Sequence, residues 1–114
     1  MKTIIYHNPR CSKSRETLEL LKEHGEQIEI VEYLKNTPSE KELGEIISKL
    51  GIKPELLVRK SETLYKEKFA GKTFTDKQWI KILSENPVLI ERPVVVKGNK
   101  AVIGRPPQNI IDIL

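Results

Sequence analysis

The chain has 114 residues, 38% of them apolar and 32% charged, the balance of an ordinary globular protein and not of a disordered one. No stretch approaches the roughly 20 apolar residues of a membrane span, and Met1-Lys2 leads straight into Thr3-Ile4-Ile5-Tyr6 with no signal-like apolar core, so the expected location is cytoplasmic. Twenty Lys and Arg against sixteen Asp and Glu give +4, but the lysines are scattered, and neither nucleic-acid nor membrane binding is expected. Cys11 is the only cysteine, which excludes an internal disulfide; with only His7 and His24 besides, a metal site is not expected.

Residues 3–7 are β-branched and aromatic and read as a short strand ending at Asn8-Pro9. Leu18, Leu20 and Leu21 among charged residues predict a helix from Ser12 to His24, with Gly25 as its stop. Ile28, Ile30, Val31 and Tyr33 follow as a second strand. Strand, helix and strand in this length predict a right-handed unit with parallel strands.

Ser39 with Glu42 forms a capping-box pattern ahead of Leu43, Ile46, Ile47 and Leu50, and Gly51 ends that helix. Pro54 opens a short helical turn carrying Leu56, Leu57 and Val58, which places Arg59 just beyond it. Residues 61–72 carry the weakest pattern; Tyr65 and Phe69, four apart, predict another short helix. Thr75 with Gln78 repeats the capping box before Trp79, Ile80 and Leu83, and Asn86-Pro87 terminates the helix. Residues 94–96 and 101–103 predict a hairpin closed around Gly98, and Ile110, Ile111, Ile113 and Leu114 a C-terminal helix. The sum is an α/β chain in thioredoxin-like order: one domain, 1–114, with a small mixed β-sheet flanked by helices and a helical insertion between its βαβ and ββα halves.

Cys11 sits where the first strand turns into the first helix. Free amides and the positive dipole end at a helix start favour thiolate over thiol, and the same amides suit an oxyanion. Arg10, Lys13 and Arg15 add positive charge nearby. Ser14 stands where a Cys-x-x-Cys motif would carry its second cysteine, so a resolving thiol has to come from another molecule. His7, four residues before Cys11, suits either tuning of the thiolate or a structural place at the strand end. Arg59, Arg92 and Arg105 stand apart from the helical charge faces, and their bidentate guanidinium groups suit a tetrahedral oxyanion if the fold gathers them.

Four blocks, residues 6–15, 56–60, 86–96 and 104–107, together resemble the glutaredoxin-coupled arsenate reductase family, and the likeness runs through essentially the whole chain. The resemblance implies a thioredoxin-like fold and a reduction of arsenate through a covalent adduct on Cys11. It implies Arg59, Arg92 and Arg105 as oxyanion ligands, His7 as the histidine beside the nucleophile, and Pro93 as the cis-proline of such folds. Glutathione as co-substrate and glutaredoxin as partner follow from it, with no tightly bound cofactor. Arg10 departs from the small residue of the best-known members, and Gly104 replaces a further cysteine of some. The other readings the pattern leaves are a glutathione-dependent reductase of another substrate and an Spx-like regulator, although Ser14 removes the disulfide switch of the latter. No large unpartnered apolar stripe is evident, and a monomer is expected.

Overall fold

The computed structural model describes residues 1–114 and resolves into two compact units, Met1–Asn36 with Arg92–Leu114, and Thr37–Glu91. The first unit holds a four-stranded sheet in the order β2-β1-β3-β4. Strand β1 (Thr3–His7) runs parallel to β2 (Ile28–Glu32), with Thr3 opposite Ile28 and His7 opposite Glu32. A parallel pair needs a crossover, and helix α1 (Ser12–Glu23) supplies it. Strand β3 (Val94–Lys97) pairs antiparallel with both β1 and β4 (Lys100–Ile103), and Gly98, at φ 62°, takes the left-handed corner of the connecting turn.

The alternation of β1 turns Thr3, Ile5 and His7 to one buried face. There Ile5 meets Leu21 of α1, Val95 of β3 and Ile110, all fully buried, with Leu18, Leu20, Ile28, Val102 and Ile113 packed around them. Each such side chain contributes about 1.5–3 kcal/mol by leaving water. The C-terminal segment is a 3-10 helix, Pro107–Ile113, where the apolar pattern predicts an α-helix. Three residues per turn put Ile110 and Ile113 on one side, against this core, and leave Ile111 exposed.

In the second unit, the Ser39 box closes as predicted: Glu42 N donates to Ser39 Oγ (3.1 Å) and Ser39 N to Glu42 Oε1 (3.3 Å), opening α2 (Glu40–Leu50). Gly51 ends that helix at φ 67°. A 3-10 helix follows at Pro54–Leu57, then α3 (Thr63–Lys68) and α4 (Asp76–Glu85), the last opened by the Thr75–Gln78 box. Residues 61–72, weakly patterned in sequence, are tied down by aromatic packing. Trp79, nearly buried, stands 4.8 Å from Phe74 edge to face and 6.5 Å from both Tyr65 and Phe69. No helix is long and apolar enough to cross a membrane.

Gly104 follows β4 at a place with no room for a side chain. A Cβ there would lie 2.8 Å from Thr17 Oγ1 and 2.9 Å from Pro93 Cγ. The backbone cannot back away, because Gly104 N donates to Pro93 O at 2.8 Å and Thr17 Oγ1 lies 3.3 Å from Gly104 O. Gly104→Ala is therefore expected to lower unfolding stability by about 1–3 kcal/mol, read from urea denaturation. A variant as stable as the parent would show that Thr17 and Pro93 yield freely.

Candidate active site

The register of the sheet decides which segments meet. Tyr6 pairs with Val94, and Val94 pairs with Ile103, so the end of β1, the start of β3 and the end of β4 lie at one end of the sheet. The Cys11 loop leaves β1 at that end, Arg92 precedes β3 there, and Arg105 follows β4 there. Three segments far apart in sequence thus reach a common point. The peptide bonds Arg92–Pro93 and Arg105–Pro106 are both cis.

The loop is a tight turn in which Asn8 does most of the bonding. Its carbonyl accepts from Cys11 N (3.0 Å), and its Oδ1 accepts from Arg10 N (3.0 Å). Cys11 then takes extended dihedrals, φ −92° and ψ 123°, as the N-cap of α1, and its carbonyl accepts from Arg15 N (3.0 Å) to start the helix. A cysteine side chain does not cap the free amides as Ser or Asp would, so they remain available to the sulfur or to a bound anion.

Arg105 Nη1 donates to Cys11 Sγ at 3.7 Å and lies 3.4 Å from Arg92 O. Partial burial pushes the Cys11 thiol up. The Ser14 backbone N–H, a hydrogen bond from the Arg92 side chain, the Lys13 backbone N–H and the Arg92 charge outweigh it, so the thiol sits below its ordinary value. The nearest cations in sequence are otherwise engaged. Lys13 pairs with Glu16 at 3.4 Å, and Arg15 Nη1 donates to Pro9 O at 2.9 Å. The Arg10 side chain is exposed.

The structure brings Cys11, Arg92 and Arg105 together. Arg59 belongs to the second unit, where Arg59 N donates to Leu89 O (2.7 Å) and Glu91 N to Leu57 O (2.8 Å) around the Val58–Ile90 bridge. Its guanidinium already faces two carboxylates, with Nε 3.4 Å from Glu62 and Nη1 3.5 Å from Glu91. The Nε contact is within ion-pair range but not aligned as a hydrogen bond.

His7 is buried at the end of β1, and its Nδ1 lies 2.6 Å from Ser14 Oγ. Burial lowers its pKa; Glu32 across the sheet opposes this, while Arg15 and Lys22 of α1 reinforce it. The balance favours the neutral imidazole. Sequence spacing marks Ser14 only as the absent second cysteine and does not mark Glu62 or Glu91 as partners of Arg59. The hydroxyl in the Cys-x-x-Ser frame was the available signal for the first; nothing in the spacing marked the second. A concavity of about 880 Å³ runs beside the loop, lined by Pro9 and Ser12 on either side of Cys11, by His7, and by α1 residues from Arg15 to Glu23. No group of three or more His, Cys, Asp or Glu side chains is gathered to hold a metal ion.

Two expectations follow. Arg105→Ala and Arg92→Ala should each raise the pH midpoint of Cys11 alkylation, slowing reaction at neutral pH by about threefold or more; an unshifted midpoint would show that the guanidinium groups do not stabilise the thiolate. For His7, the unfolded chain takes up a proton below about pH 6.5 that the folded chain resists, so stability is full above that pH and falls in acid. His7→Asn should narrow the gap between urea midpoints at about pH 7.5 and pH 5.5.

With this geometry established, comparison with known proteins gives a consistent answer. The model of the ArsC family matches residues 6–113. An arsenate reductase of Haemophilus influenzae is 46% identical over 116 residues, covering all of both chains. The uncharacterized protein YfgD of Escherichia coli K12 is also 46% identical, over 96% of this chain and 94% of its own. A solved arsenate reductase from Vibrio cholerae superposes with a TM-score of 0.95 at 42% identity, covering 100% of this chain and 98% of that one. In sequence and in three dimensions, the chain belongs to the ArsC family.

Proposed function

We propose that the protein reduces arsenate to arsenite through a covalent adduct on Cys11, with glutathione as reductant and glutaredoxin as the partner that restores the thiol. The observation that carries this reading is the Cys11 sulfur at the start of α1, with Arg105 at 3.7 Å and the Arg92 side chain bonded to it. A thiolate there is nucleophilic near neutral pH, and two guanidinium groups suit the several negative charges of the adduct. Arsenate reductases among its relatives support the choice of oxyanion.

In the proposed sequence, the Cys11 thiolate attacks As(V). A sulfur–arsenic bond forms and one oxygen leaves as water after protonation. Glutathione thiolate then bonds to the Cys11 sulfur as the sulfur–arsenic bond breaks. Each sulfur gives up one electron, arsenic gains two, and arsenite departs. The mixed disulfide on Cys11 is exchanged through glutaredoxin with a second glutathione, which leaves oxidised glutathione and the free thiolate. The net change is one arsenate and two glutathiones to one arsenite, one glutathione disulfide and water. Ser14 cannot take the resolving role, so an external thiol is required. Arg59 is assigned as the third oxyanion ligand on the strength of the family resemblance, and His7 as a residue that favours the thiolate.

Arsenite formation from arsenate, glutathione and glutaredoxin tests the assignment, and Cys11→Ser should abolish it. A folded protein that yields no arsenite in a system competent with another reductase would overturn arsenate as substrate. Arg59→Ala, Arg92→Ala and Arg105→Ala should each lower kcat/KM by about tenfold or more.

A further inference from the structure

Ser14 looks like an inert replacement for a resolving cysteine, but its surroundings are more specific than that. The side chain is fully buried, one helical turn from Cys11. Its hydroxyl accepts from Asn8 N at 3.0 Å and lies 2.6 Å from His7 Nδ1. A hydroxyl has one proton to donate, and an amide N–H cannot receive it. With its oxygen accepting from Asn8 N, the Ser14 hydroxyl keeps its proton for His7 Nδ1, a pairing that suits the neutral imidazole protonated on Nε2.

We propose that Ser14 is a positioning residue for Cys11, and that His7 acts on the nucleophile through the Ser14 hydroxyl instead of as a neighbouring positive charge. This rests on the reading of Cys11 as a thiolate nucleophile and deepens it, without depending on which electrophile the sulfur meets. Among the groups that lower the Cys11 thiol, the backbone N–H of Ser14 comes first. The same residue is pinned through its side chain to the loop, by Asn8 N, and to the sheet, by His7. Asn8 in turn accepts from the backbone N–H groups of Cys11 and Arg10. The Ser14 hydroxyl thus sets the distance between the turn carrying the sulfur and the helix amide that stabilises its charge. Without it, Asn8 N–H and His7 Nδ1 are left unsatisfied in a buried place, and the turn and helix start lose their common anchor.

The charged groups around this pair are Glu32 from β2 and Arg15 and Lys22 from α1, with Arg92 and Arg105 facing Cys11 from the ends of β3 and β4. None of them changes in the test variants. Because Cys11 is the only cysteine, its alkylation by iodoacetamide reads the thiolate directly in the full-length protein, with no oxyanion present. His7→Asn and His7→Gln separate the two modes of action. The Asn carbonyl oxygen stands the same number of bonds from Cβ as Nδ1 does and can accept the Ser14 proton; Gln carries its oxygen one bond further out. Both remove any histidine charge.

Ser14→Ala and His7→Gln are expected to raise the pH midpoint of alkylation and to slow the reaction at pH 7 by about three- to tenfold, while His7→Asn stays within about twofold of the parent. An unchanged profile in folded Ser14→Ala, or indistinguishable profiles for the two His7 variants, would overturn the proposal. Circular dichroism establishes folding in each case, and if Ser14→Ala does not fold, the His7 pair decides. Failure to reduce arsenate would leave these profiles untouched, so the two readings fail separately.

Discussion

The parallel pairing of β1 with β2 is the constraint from which the site follows. Two parallel neighbours cannot be joined by a tight turn, so the chain has to leave the end of β1, cross the sheet as α1 and return. The crossover is anchored by Leu21 against Ile5, Val95 and Ile110, a fully buried contact that fixes the helix over the sheet. Its N-terminus is thereby held above the end of the central strand, and Cys11 occupies that junction. A thiolate placed there meets amides that the helix itself cannot use.

Electrostatics then depends on sheet topology. The cations nearest to Cys11 in sequence are Arg10, Lys13 and Arg15, yet the sulfur is served by Arg92 and Arg105, which arrive from the ends of β3 and β4. The antiparallel registers Tyr6–Val94 and Val94–Ile103 account for this, since they stack three strand ends beside one another. Gly104 allows the close approach of Thr17 and Pro93 beside Arg105, where any side chain would intrude. Arg59 shows a different economy. In its own unit it is balanced by Glu62 and Glu91, so its charge is locally offset before any ligand is considered.

Much of the fold was legible in the chain because its signals are local. The Ser39–Glu42 and Thr75–Gln78 boxes, the stops at Gly25 and Gly51, and the Gly98 turn each encode their geometry within a few residues. The C-terminal segment was less legible. Its isoleucines suit an α-helix by pattern, but packing on the core selects the 3-10 spacing of Ile110 and Ile113. The short helix within residues 61–72 is held by Tyr65 and Phe69 against Trp79, contacts no local periodicity could specify.

The sequence by itself determined that one cysteine opens the first helix, that no second thiol stands beside it, and that three isolated arginines were available to it, because these depend on residue identity and short-range spacing. Only the tertiary structure decided which charges reach the sulfur and which side chain His7 meets. Strand register, not sequence distance, brings Arg92 and Arg105 to Cys11. Burial, which depends on everything packed around a group, lowers the His7 pKa, and packing sets its Nδ1 2.6 Å from Ser14 Oγ.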